Sequence, residues 1–91
     1  MARKGKPAWP AWWDWELELT PHVEKRMEDR GFSEVELREM IQKATGYRPD
    51  VGDGRFVIES RLRRRRWEII VEPDNDERVI VVITAFSLGG A

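Results

Sequence analysis

The stretch Arg30-Gly31-Phe32-Ser33-Glu34-Val35-Glu36-Leu37 constrains the fold more than any other part of this chain. Gly31 can take the left-handed conformation that closes a helix. Ser33 and Glu36 have the spacing of a capping box that opens the next one, and Phe32 and Leu37 are placed as a hydrophobic staple across that start. Two consecutive helices joined by a tight corner are therefore expected, near residues 21–30 and 33–44. Thr20-Pro21 supplies the first start, because Thr caps free amides and Pro suits a position whose amide has no helical partner. Leu37, Met40, Ile41 and Ala44 recur at helical spacing and give the second helix its core stripe.

Beyond Gly46 the hydrophobic period changes to two. Val51-Gly-Asp-Gly is turn chemistry, and strands are expected near 55–61, 66–72 and 78–86, joined as an antiparallel meander. Val79 to Ile83 is apolar at consecutive positions, which predicts a central strand covered on both faces. Trp13 to Leu19 alternates apolar and acidic residues and reads as a further strand for a sheet edge. The expected class is α+β, with two N-terminal helices on one face of a mainly antiparallel sheet of three to four strands. Its core should hold Leu37, Met40, Ile41, Phe56, Ile58, Ile69, Val71, Val79, Val81 and Ile83.

Ninety-one residues suffice for one domain, expected over 13–88, with a flexible arm at 1–12 and a short tail at 89–91. The arm mixes Lys, Gly, Pro and Ala, and Trp9, Trp12, Trp13 and Trp15 gather where it joins the strand. These rings serve either to cover an open side of the sheet or to stack on bases. The chain has no cysteine, which excludes disulfides and thiolate metal sites. No run of about 18 apolar residues is available to cross a bilayer, so a cytoplasmic protein without membrane partners is expected.

Sixteen basic against 17 acidic residues give a formal charge of -1, so bulk charge does not mark a nucleic-acid binder. Distribution carries more information. Lysine occupies only positions 4, 6, 25 and 43, leaving twelve arginines among the sixteen cations. Arginine's planar fork matches phosphate oxygens in two-point contacts. His22, Arg26 and Arg30 recur at i, i+4 and i+8 along one helix face, while Val23 and Met27 lie on a face that can enter the core. The plain alternative is a solvated charged helix.

Arg61-Leu62-Arg63-Arg64-Arg65-Arg66 spans the junction of two expected strands. Strand alternation would put Arg61, Arg63 and Arg65 on one face and Arg64 and Arg66 on the other, whereas a loop would project them all into water. Close arginines repel one another, a cost that a phosphate-rich partner relieves by displacing counterions. A soluble hairpin tip or a charged edge that resists strand pairing is the competing account. One histidine and no EF-hand spacing leave metal chemistry without support, and Val51-Gly-Asp-Gly-Arg55 lacks the spacing of a nucleotide phosphate loop. No cofactor is expected.

The motif His22-Val-Glu-Lys-Arg26-Met27-Glu-Asp-Arg30-Gly31-Phe32-Ser33, a helical segment through Ala44 and a final strand Val81-Val82-Ile83-Thr84-Ala85-Phe86 together resemble a family of short bacterial domains. That family is similar in outline to RelE-like toxins and to the barnase, colicin and RelE nuclease fold. The resemblance implies a metal-independent endoribonuclease toxin, encoded beside a cognate antitoxin or immunity protein, with RNA as substrate. In such enzymes the RNA 2′-hydroxyl attacks the adjacent phosphorus, so the site needs proton transfer and cations for the developing charge. On that reading His22 is the acid or base, Arg26 and Arg30 hold the phosphate, and Thr84 positions an oxygen. Arg55 and Arg61, Arg63, Arg64, Arg65 and Arg66 are the candidates for binding RNA. Two other expectations stand beside it: a non-catalytic RNA- or DNA-binding module, and a protein-interaction domain that pairs through an exposed strand near Trp13 to Leu19.

Overall fold

A computed structural model describes residues 9–52 and 54–88. Residues 1–8 of the flexible arm expected over 1–12, and the tail at 89–91, lie outside the described residues. The chain runs from a single 3-10 turn, Ala11–Asp14, into strand β1, Glu16–Leu19, then helices α1, Pro21–Arg30, and α2, Glu34–Gln42. Four strands follow: β2, Gly46–Pro49; β3, Phe56–Leu62; β4, Arg65–Asp74; and β5, Val79–Ser87.

Both helices begin and end where their local chemistry dictates. Thr20 Oγ1 accepts from the Val23 amide at 3.2 Å, and Gly31 closes α1 at φ 72°. The Ser33 and Glu36 capping box is complete, with Glu36 N to Ser33 Oγ at 3.2 Å and Ser33 N to Glu36 Oε1 at 2.9 Å. Phe32, Leu37, Met40 and Ile41 are buried as their spacing requires.

The sheet is five-stranded in the order β1-β5-β4-β3-β2. The β3-β4-β5 meander is antiparallel, as is β2 against β3, but β1 lies parallel to β5. This corrects the expected RelE- or barnase-like sheet of three to four antiparallel strands: there are five, in a mixed sheet. Two physical reasons explain the difference. Gly46-Tyr47-Arg48-Pro49 is too short to show a period and contains two residues disfavoured in strands, and only pairing with β3 orders it. Alternation in β1 is the same whichever way its neighbour runs, so strand direction was not legible. Just past the end of β1 the Thr20 hydroxyl fastens the chain to β5, its one proton shared between the Val82 carbonyl at 2.8 Å and the Ile83 carbonyl at 3.1 Å.

The helices cover one face of the sheet. Ile58, Ile69, Val71, Ile80 and Val82 meet Val23, Leu37 and Ile41 there, all with no exposed surface. Fully burying one such side chain contributes about 1.5–3 kcal/mol. Ser60 belongs to the same face and donates to the Met40 carbonyl at 2.6 Å, joining α2 to β3. Val79, Val81 and Ile83, expected in the core, are only half-buried, and Ile80, Val82 and Ala85 take their place. An apolar run hides its inward set, and which set turns inward depends on the register with β4. Phe56 is likewise half-buried.

The tryptophans complete the core beyond the helices. The segment expected to be strand from Trp13 begins instead with the 3-10 turn, which carries Trp13 inward to 8% exposure. Trp9 stacks on Trp13 at 4.4 Å between centroids, and Trp12 meets Phe56 at 5.1 Å. Tyr47 of β2 contacts all three indoles. Arg38 of α2 donates to the Trp15 carbonyl at 2.8 Å and holds the turn in place.

Candidate nucleic-acid interface

The outer face of α1 carries the basic stripe anticipated by its spacing. His22, Lys25, Arg26, Asp29 and Arg30 line one open depression of about 500 Å³. His22 and Arg30 are exposed and Arg26 is half-buried. Lys25 pairs with Asp29 at 3.3 Å, an exposed i, i+4 contact worth about 0.3–0.5 kcal/mol. That leaves His22, Arg26 and Arg30 without an ion-pair partner among the described residues.

The arginine run forms a hairpin. Leu62 pairs with Arg65 and Arg61 with Arg66, so Arg63 and Arg64 make a two-residue turn. Their φ values of 51° and 70° fit the turn type that usually takes Asn-Gly. Two arginines in the left-handed region are costly, by about 1–2 kcal/mol per residue. Arg61 and Arg66 add like-charge repulsion directly across the strands. Part of this is offset at the tip, where Arg63 Nη2 donates to the Glu36 carboxylate at 2.7 Å and to the Gly31 carbonyl at 3.2 Å. The Ser33 amide bonded to Glu36, and then Arg63 beside it, hold the Glu36 carboxyl below its ordinary value against the opposing effect of desolvation.

That tether places the hairpin beside the end of α1. Asp29, Arg30, Leu62, Arg63, Arg65, Trp67 and Ser87 line a groove of about 340 Å³. Arg30 and Asp29 belong both to this groove and to the α1 depression, so the two form one continuous surface. Trp67 is 5% exposed, packs edge-on against Phe32 at 5.1 Å, and has an indole N–H without an acceptor among the described residues. An unpaired buried donor of this kind costs about 1–3 kcal/mol. Arg61 and Arg66 line a separate depression with Glu59 and Glu68, on the other side of Trp67.

Two candidates lie elsewhere. Arg55 donates to Glu72 at 3.2 Å, away from the hairpin. Thr84 follows a bulge in β5 and pairs with Ile70, on the face opposite the helices, and its buried hydroxyl has no partner among the described residues. It does not line the α1 depression with His22. The two stretches nevertheless meet through the backbone, since Thr20 at the start of α1 is bonded to Val82 and Ile83. On the sheet face without helices, Glu59 and Glu68 stand directly opposite one another, and Arg48 bridges them. Donating to the Glu68 carboxylate raises the Arg48 pKa above its ordinary value.

Sequence spacing alone missed Lys25, Trp67 and Ser87. Lys25 was legible in principle, one residue before Arg26 and three after His22. Trp67 and Ser87 carry no local signal, because only the β4-β5 register and the docked end of α1 bring them to Arg30. Among the described residues no group of three or more metal-ligating side chains gathers, and no helix is long and apolar enough to cross a membrane.

Fold and surface together define a small α+β domain with a mixed sheet and one basic flank. Residues 19–87 match the model of a family described as a domain of unknown function (DUF4258), and the chain belongs to that family. The matched stretch starts at the end of β1 and closes with β5, leaving the tryptophan-rich turn outside it. Comparison with curated proteins and with solved structures returned no match.

Proposed function

We propose that this domain binds single-stranded RNA along the surface running from His22, over Arg26 and Arg30, to Arg63 and Arg65. The observation that carries this reading is the sharing of Arg30 between the α1 depression and the hairpin groove, which makes one cationic track out of two separate stretches of sequence. Arg26, Arg30 and Arg65 have no ion-pair partner among the described residues, while the carboxylates at this surface, Asp29 and Glu36, are engaged by Lys25 and Arg63 and others pair elsewhere with Arg48 and Arg55. Arginine forks suit backbone phosphates, and a track of this kind releases counterions on binding.

Cleavage is a second reading, favoured by the placement of His22 and Arg26 in the same depression one helical turn apart. An imidazole beside a guanidinium is the pairing that a toxin-like, metal-independent endoribonuclease uses to move a proton and hold phosphorane charge. The resemblance to RelE-like toxins through the His22 to Ser33 motif points the same way, and on that reading the partner is an antitoxin or immunity protein encoded alongside. Thr84 has no part in this depression, so the oxygen-positioning role expected of it drops out of this reading.

The experiment is titration of a labelled single-stranded RNA over a range of salt concentrations, with cleavage of the same RNA followed in chelator. Arg26→Gln with Arg30→Gln should flatten the slope of log affinity against log salt by about 0.7 for each phosphate that is no longer neutralised. Cleavage that falls about a hundred-fold or more in His22→Ala supports the enzyme. Binding without cleavage leaves a binding module, and a salt-independent or absent interaction removes both readings.

A further inference from the structure

The sheet face opposite the helices has no element packed on it among the described residues, and its charges are sorted along the strands. Register places Arg61 and Arg66 side by side at the β3-β4 hairpin end, and gathers Glu72, Asp74, Glu16 and Glu18 at the far end of β4 and its neighbours β5 and β1. Between the two ends lie Val57, Ile70, Val81 and Phe86, of which only Val57 is buried. We propose that this face is the contact surface of a homodimer. Two copies stack sheet on sheet about a two-fold axis that lies between the sheets and across the strands, so that Arg61 and Arg66 of each copy meet the acidic end of the other. The proposal is independent of RNA binding, because the track from His22 to Arg65 runs on the helix side and stays open in such a pair.

Charge complementarity selects a second copy as the occupant. Arg61, Arg66, Glu16 and Glu18 are all exposed and have no ion-pair partner among the described residues. Charges in the middle of the face are already engaged, Arg48 with Glu59 and Glu68, and Arg55 with Glu72. The surplus is therefore positive at one end and negative at the other, and a face of this polarity is complementary to itself once one copy is turned end for end. The acidic end is also concave, since Glu72, Asp74, Asp76 and Val81 help to line a depression of about 370 Å³ that can receive a guanidinium group. The sheet edges suit a second copy less well: pairing β1 with β1 would gather Glu16 and Glu18 of both copies, and β2 ends in Pro49, which has no amide to donate. Five strands about 4.8 Å apart and a ten-residue β4 rising about 3.4 Å per residue give the face a projected area of roughly 600 Å². Standard interfaces bury about 800 Å² per partner, so the expected dimer is weak, dissociating in the micromolar range.

The test is sedimentation of the full-length protein from about 1 μM to 1 mM, at low and at high salt. Wild type should pass from monomer to dimer within that range, and at lower concentration in low salt, where charge pairs are least screened. Arg61→Glu with Arg66→Glu, and Glu16→Arg with Glu18→Arg, each bring like charges together at both ends of the pair, and each should raise the dissociation constant about tenfold or more. Circular dichroism melts check that both variants fold, and the single exposed substitutions Arg66→Glu and Glu18→Arg replace any double variant that does not. An equimolar mixture of the two variants should dimerise again, because every facing pair in the mixed dimer is once more opposite in sign. Wild type that stays monomeric throughout overturns the proposal, as does a dimer that neither variant weakens. Variants that weaken the dimer but fail to recover on mixing overturn it too, since pairing through a sheet edge or the helix side would behave in that way.

Discussion

The Arg63 guanidinium donates to the Glu36 carboxylate at 2.7 Å, joining the tip of the β3-β4 hairpin to the first turn of α2. Glu36 simultaneously accepts from the Ser33 amide at 2.9 Å, so one carboxylate closes the helix cap and anchors the hairpin.

This double role makes stability depend on pH in a defined direction. The Glu36 carboxyl, held down chiefly by the Ser33 amide and then by Arg63, titrates below its ordinary value of 4.5. Its contribution is therefore fully present above that ordinary value and is lost as pH falls through the depressed one. Thermal unfolding of wild type and Glu36→Gln between pH 7 and 2 should show wild type the more stable at neutral pH. The gap should close only below pH 4.5. A gap that persists unchanged into strong acid would assign the effect to shape rather than charge.

Arg64 occupies the left-handed region at φ 70° with no ion-pair partner among the described residues. Arg64→Gly removes the strain of that conformation, against a greater loss of freedom on folding for glycine. The net expectation is a gain of up to about 1 kcal/mol in denaturant unfolding. RNA affinity should stay the same or fall. Destabilisation would show that the Arg64 side chain makes contacts that hold the turn.

Thr20 caps α1 and also fastens it to β5 through two carbonyls. Thr20→Val keeps the shape but deletes every one of these bonds, and should cost about 1–2 kcal/mol. Thr20→Ser retains the hydroxyl and should remain within about 0.5 kcal/mol of wild type. Hydrogen exchange offers a second check, since the amides shared by β1 and β5 should lose protection in the valine variant alone.

Trp13 lies outside the stretch matched by the family model yet is only 8% exposed. Trp13→Ala should cost about 3–5 kcal/mol, as expected for removal of a large core aromatic. A loss below about 1 kcal/mol, typical of a surface change, would return the tryptophan-rich turn to the status of an appended arm.

Local sequence determined the parts of this protein whose causes are local. Thr20-Pro21, Gly31 and the Ser33 to Glu36 box set both helices to within about two residues, because caps are satisfied by side chains three positions away. The β3-β4-β5 strands were legible for the same reason, since alternation is a property of neighbouring residues. The basic stripe from His22 to Arg30 followed from helical periodicity alone. Tertiary structure decided the rest. Only pairing with β3 made a strand of Gly46 to Pro49, and only its register against β5 shows that β1 runs parallel. The β4-β5 register turned Ile80 and Val82 inward instead of Val79, Val81 and Ile83. The same register separated Thr84 from His22 and brought Trp67 and Ser87 to Arg30. Contacts between residues far apart in sequence are selected by how the whole core packs, and a strand's alternation reads the same whichever face or neighbour it finally meets.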